Sequence, residues 1–116
     1  MVTFVLPSKI IDVQEYIAAD GNCPYEKWFK GLNAQAAAKV AIAITRISQG
    51  NLSNVKGIRG GLHEYRIDFG PGYRIYLGRD GQRIIILLGG GTKKRQRQDI
   101  GNALNLWQEY KKRKGE

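Results

Sequence analysis

Polar and apolar positions alternate with a period of two along residues 62–77. Tyr65, Ile67 and Phe69 fall on one face of a strand, and Glu64, Arg66 and Asp68 on the other. Gly70-Pro71-Gly72 turns the chain, and Tyr73, Ile75 and Leu77 then oppose Arg74 and Tyr76 on a second strand. Arg66 and Arg74 therefore share the polar face of one antiparallel pair. A second turn, Gly78-Arg79-Asp80-Gly81, leads into Ile84-Ile85-Ile86-Leu87-Leu88. That run is apolar on both parities, which predicts the most deeply covered strand.

Upstream, Ile11, Val13 and Ile17 alternate with Asp12, Gln14 and Tyr16, which predicts a first strand at a sheet edge. Residues 1–9 read as an extra edge strand or a loose leader. The period then changes. Pro24 opens a helix, Tyr25, Trp28, Phe29 and Leu32 form its apolar stripe, and Gly31 ends it. Asn33 caps a second helix that runs to Gln49, with Val40, Ile44 and Ile47 facing inward and Gly50 just beyond. Residues 51–61 read as a loop, and Gly89-Gly90-Gly91 as a flexible exit from the central strand. No Gly-Lys-Ser/Thr follows the triplet, so it is not read as a nucleotide loop. A last helix carries Ile100, Ala103, Leu104, Trp107 and Tyr110 on one stripe and ends in a frayed basic tail over residues 111–116.

Strand, helical hairpin, three strands and helix make one α+β domain over residues 1–116: an antiparallel sheet with helices packed on it. Trp28, Phe29, Ile44, Ile86, Leu104 and Trp107 are expected to be mostly buried. No apolar run is long enough to span a membrane, and the N-terminus lacks the features of a signal peptide. The single cysteine, Cys23, has no internal disulfide partner, which fits the cytoplasm.

Charge sharpens this picture. The net charge is +9, and residues 56–116 hold fourteen Lys/Arg against six Asp/Glu, whereas residues 1–55 hold five against four. A basic half on a small domain is the footprint of a polyanion partner. Lys93, Lys94, Arg95 and Arg97 crowd the start of the last helix, where the helix dipole disfavours each cation by about a few tenths of a kcal/mol. Arg66 and Arg74 side by side repel each other as well. A bound phosphate relieves both costs. With one histidine, His63, on the apolar parity, and no close cluster of ligand residues, neither a metal site nor a Ser-His-Asp triad is expected. No cofactor is expected either. The remaining toolkit of guanidinium and ammonium groups suits cleavage of RNA.

Gly-Pro-Gly-Tyr-Arg-Ile-Tyr (70–76), Leu-Leu-Gly-Gly-Gly-Thr-Lys-Lys (87–94) and Gln-Arg-Gln-Asp-Ile (96–100) resemble the RelE/ParE superfamily of toxins. The resemblance is to the HigB-like, phage-associated "addiction module killer" branch, which Pro24-Tyr25-Glu26-Lys27-Trp28 and Gly50-Asn51-Leu52 also match. It runs from about Ile10 to Tyr110. It implies a small α+β toxin encoded beside an antitoxin, here a helix-turn-helix protein, with operator DNA bound through their complex. RelE-like members cut messenger RNA on the ribosome and ParE-like members inhibit DNA gyrase; messenger-RNA cleavage is the expected activity here, with gyrase inhibition or a toxin fold that has lost its activity as the alternatives. Carried over by position, Arg74 and Arg66 hold the phosphate, and Lys93 or Lys94 moves a proton, with Glu64 a candidate base. Lys56, Arg59, Tyr76, Arg95 and Arg97 complete the expected RNA surface. One departure stands out. The tyrosine that RelE-like toxins carry early in the last helix is replaced by Ile100 or Gly101, and the histidines of some HigB proteins have no counterpart.

Overall fold

The structure, a computed structural model, describes residues 11–115. The suggested leader over residues 1–9 lies outside that range. Five strands and three helices follow in the order β1 (Asp12–Glu15), α1 (Pro24–Lys30), α2 (Ala34–Ser48), β2 (Val55–Arg59), β3 (Leu62–Ile67), β4 (Tyr73–Asp80), β5 (Ile84–Thr92) and α3 (Gln96–Arg113), with a 3-10 turn over Lys93–Arg95 before α3. The fold is α+β.

Strands β2 to β5 form an antiparallel meander. β1 joins the far edge parallel to β5, so the sheet order is β1-β5-β4-β3-β2 and the sheet is mixed. Parallel neighbours need a long connection, and here that connection is nearly the whole domain. Both faces are covered. Ile75, Leu77, Ile85 and Leu87 pack against Tyr25 of α1 and Val40, Ala43 and Ile47 of α2. Tyr76, Ile86 and Leu88 pack under Ala103 and Trp107 of α3. Ile86 and Trp107 are buried as expected, whereas Trp28, Phe29, Ile44 and Leu104 are only partly buried at the margins of the two clusters.

The helix boundaries follow the sequence signals closely. Pro24 occupies the first turn of α1, Gly31 closes it, and the Asn33 side chain accepts a 2.8 Å hydrogen bond from the Ala36 amide at the start of α2. Four expectations are corrected. Residues 55–59 form a strand, not a loop; Gly57 and a register shift beside it break the alternation that marks a strand. Gly89, Gly90 and Gly91 lie inside β5 rather than in a flexible exit, paired with Tyr76, Ile75 and Arg74. Ile17 is 59% exposed while Tyr16 is buried, because β1 ends at Glu15 and the alternation ends with it. Residues 111–113 continue α3 instead of fraying. Arg113 Nη1 donates to the Ile17 carbonyl at 2.6 Å and Lys114 pairs with Asp80, which ties the helix end to the sheet.

The glycines in β4 and β5 decide how closely the helices approach. A Cβ at Gly78 would fall within the Trp107 ring, one at Gly90 within the Trp28 ring, and one at Gly91 on the Asp99 carboxylate. Gly89, at φ +147°, sits at the β5 irregularity and resets which face each later residue takes.

Candidate functional site

The register places Arg66 directly opposite Arg74, and Arg74 opposite Gly91. One row earlier Lys56, Glu64, Tyr76 and Gly89 cross the sheet on the same face. These rows end at the edge of the area that α3 covers. Arg66 is half exposed there, while Arg74 is only 7% exposed and Glu64 2%.

Glu64 holds the two arginines. Its Oε2 accepts a 2.6 Å hydrogen bond from Arg66 Nε, and its Oε1 lies 3.6 Å from Arg74 Nε. Gln96, at the start of α3, donates to Oε1 at 3.1 Å. Arg74 Nε, beyond hydrogen-bonding reach of that carboxylate, has no hydrogen-bond partner among the described residues. A buried guanidinium with incomplete hydrogen bonding costs free energy, and such costs concentrate at sites that bind an opposite charge.

Arg66, Arg74 and Lys93 line one cleft of about 320 Å³, closed by Ile67, Asp68, Gly72 and Tyr73. The Lys93 amide donates to the Gly72 carbonyl at 2.9 Å, which fixes the 3-10 turn beside the β3–β4 turn. Glu64 and Asp68 counter part of the positive charge. Asp68 is exposed and makes no hydrogen bond or ion pair among the described residues. It sits on the arginine parity, so the sequence carried a signal for it that charge counting passed over.

Three expected site residues are corrected. Tyr76 is 1% exposed beneath α3, and burial raises its hydroxyl to about 12, so it offers no surface to RNA. Glu64 does not serve as a free base, because both oxygens are engaged and the group is buried. Arg59 pairs with Leu62, at the other end of β3 from Arg66, about 13 Å along the strand. Lys56 lies opposite Glu64 on β2 and is exposed. Lys94, Arg95 and Arg97 are exposed around the start of α3 but do not line the cleft.

The start of α3 has no side-chain cap, and Asp99 is the acidic residue of its first turn. Burial against the sheet raises the Asp99 carboxyl, and Arg95 pulls it back in part. A carboxyl raised on folding stabilises least when ionised, so its unfavourable contribution appears as pH rises through its folded value. Asp99→Asn is therefore expected to raise thermal stability at neutral pH. The gain should vanish below about pH 3.9, where the wild-type group is protonated in both states. Melting curves across that range check it; a variant less stable than wild type at neutral pH would contradict it.

Away from the cleft, Glu15, Cys23 and Glu26 bring their ligand atoms within 4.8 Å of one another, a cluster that spacing along the chain did not reveal. Burial pushes the Cys23 thiol up, a hydrogen bond from the Glu26 backbone pulls it back in part, and Glu15, to which the thiol donates at 3.3 Å, raises it further. Among the described residues no helix is long and apolar enough to cross a membrane.

No family model matches the chain. In sequence it is similar to an uncharacterized protein of Haemophilus influenzae, 41% identical over 86 residues that cover 73% of this chain and 87% of that protein.

Proposed function

The chain belongs to one family with that Haemophilus influenzae protein, and we propose that it is the toxin of a type II toxin-antitoxin pair, of RelE/ParE type. In this reading it acts in the cytoplasm as a ribosome-dependent messenger-RNA endoribonuclease. The observation that supports it is the convergence of Arg66, Arg74 and Lys93 on one open cleft, with Glu64 bracing the two arginines.

The reaction is attack of an RNA 2′-hydroxyl on the adjacent phosphorus. The bond to the 5′-oxygen breaks, leaving a 2′,3′-cyclic phosphate and a free 5′-hydroxyl. Arg74 at the floor and Arg66 at the rim bind the non-bridging oxygens, where negative charge builds. Lys93 gives a proton to the departing 5′-oxygen. Asp68 takes the proton of the 2′-hydroxyl, since it is the carboxylate of the cleft with no other partner among the described residues. The ribosome orients the RNA, so the toxin needs little acid-base equipment of its own.

Asp68→Asn is expected to slow message cleavage by roughly a hundredfold, the usual scale of general-base loss, while RNA binding is kept or tightened because one negative charge is gone. Cleavage and ribosome binding measured on the same preparation check this. Unchanged cleavage would remove Asp68 from the mechanism.

Control of such a toxin falls to an antitoxin with an acidic segment laid over the basic cleft. Association should be fast and salt-sensitive. Expression of the chain alone is expected to arrest growth, and co-expression of the neighbouring reading frame to relieve it. Two proteins that elute apart at low salt would refute this pairing.

One observation favours a second reading, non-catalytic inhibition of DNA gyrase as in ParE-like members. Ile100 and Gly101 stand where a catalytic tyrosine is expected. Of the nearest tyrosines, Tyr76 is buried, and Tyr110 donates to Asp80 at 2.6 Å on the far part of α3.

A further inference from the structure

A second basic cleft lies on the other side of the same stretch of β3. It measures about 220 Å³ and is lined from α2 by Lys39, Ile42 and Arg46, and from β3 and its flanks by Asn54, Tyr65 and Phe69. Arg66, Ile67 and Asp68 line both this cleft and the one that holds Arg74. The three residues form the wall between them.

Lys39, Ile42 and Arg46 stand at i, i+3 and i+7, on one stripe of α2. Neither cation is in a salt bridge among the described residues, unlike Lys30, which pairs with Glu26. Lys39 Nζ lies 5.3 Å from the Phe69 ring centre. Ile42 is 49% exposed between the two cations, one of the two large apolar side chains so exposed among the described residues. α2 therefore presents cation, apolar side chain and cation along a groove whose lining includes the Phe69 ring, with Lys39 over one face of that ring. Single-stranded nucleic acid is bound by this combination, with cations on the phosphates and apolar or aromatic surface under sugars and bases.

We propose that this α2 cleft carries the RNA strand beyond the cleavage point, with Lys39 and Arg46 each on a backbone phosphate and Ile42 and Phe69 against a base. Continuity through Arg66 makes the two clefts one track across the open end of the sheet. The inference rests on the RNA reading of the Arg74 cleft.

The test uses the full chain and 2′-O-methyl RNA, which cannot be cut, in lengths of about 4 and about 12 nucleotides, within the usual range of single-strand site sizes. Affinity is read by fluorescence anisotropy as a function of salt. For the longer strand, Lys39→Ala/Arg46→Ala is expected to lower the slope of log affinity against log salt by about 1.4, two contacts at about 0.7 each. The shorter strand should bind the variant as it binds wild type. Both positions are exposed on α2, and the melting temperature should be unchanged. Arg66→Ala/Lys93→Ala should weaken both lengths. If that variant binds both lengths as wild type does, the RNA reading itself fails. If it loses affinity while Lys39→Ala/Arg46→Ala changes neither length, or both equally, only the second cleft is overturned. Binding of poly-glutamate that depends on Lys39 and Arg46, with RNA binding indifferent to them, would assign the cleft to an acidic protein and likewise overturn it.

Discussion

Arg74→Ala is expected to reduce message cleavage by about a hundredfold or more, with ribosome binding largely retained. The guanidinium lies at the floor of the cleft, where little water screens it, and acts most on charge that develops only in the transition state. Losing one such donor costs about 2–4 kcal/mol. Arg66 is half exposed, so its loss should cost less. The fold should survive Arg74→Ala, since Glu64 keeps its hydrogen bonds from Arg66 and Gln96. Arg74→Lys restores the charge but not the planar fork, and is expected to recover only part of the rate. Full cleavage by Arg74→Ala would move the chemistry away from this row of the sheet.

Gly78→Ala is expected to destabilise the domain by about 2–3 kcal/mol, the scale of overpacking in a well-filled core. The added methyl would occupy the space of the Trp107 ring, which is itself buried between α3 and the sheet. Trp107 lies close against two glycines, since its Nε1 is 2.9 Å from where a Cβ would stand on Gly61 as well. Either the ring leaves its place or α3 lifts, and lifting α3 carries Gln96 away from Glu64. The variant should therefore lose activity together with stability. A double-mutant cycle with Trp107→Leu isolates the clash: the smaller side chain should remove most of the penalty that Gly78→Ala adds. Additive losses in denaturant melts would show that the contact is not the cause.

The same pair shows what the sequence made legible. Trp107 belongs to a clear helical stripe, and its burial was readable from Ala103, Leu104 and Tyr110 around it. Its partner was not readable, because Gly78 reads as a turn residue until another element is placed over it. The glycine triplet behaved likewise. Three glycines weaken strand propensity, yet at Gly90 and Gly91 the space that side chains would have taken is filled by Trp28 and Asp99. Boundaries marked by local chemistry, Pro24, Gly31 and Asn33, appeared where expected.

In the site, period-two parity was enough to set Arg66 beside Arg74 and to put Glu64 and Asp68 with them. It could not say which of the two carboxylates is buried between cations and which is left open. That depends on α3, whose Gln96 closes over Glu64. Tyr76 had the right parity and the wrong depth for the same reason. The second cleft was hidden because Lys39, Ile42 and Arg46 look like the ordinary outer face of a helix until Phe69 is seen to line the same cleft.

Primer extension on a message during translation, with the chain expressed without an antitoxin, separates a nuclease from a gyrase inhibitor. Wild type should produce breaks inside the translated frame, and Arg74→Ala should leave the same message whole. Growth arrest by wild type, Arg74→Ala and Arg66→Ala alike, with every message intact, would contradict the nuclease and place gyrase inhibition ahead of it.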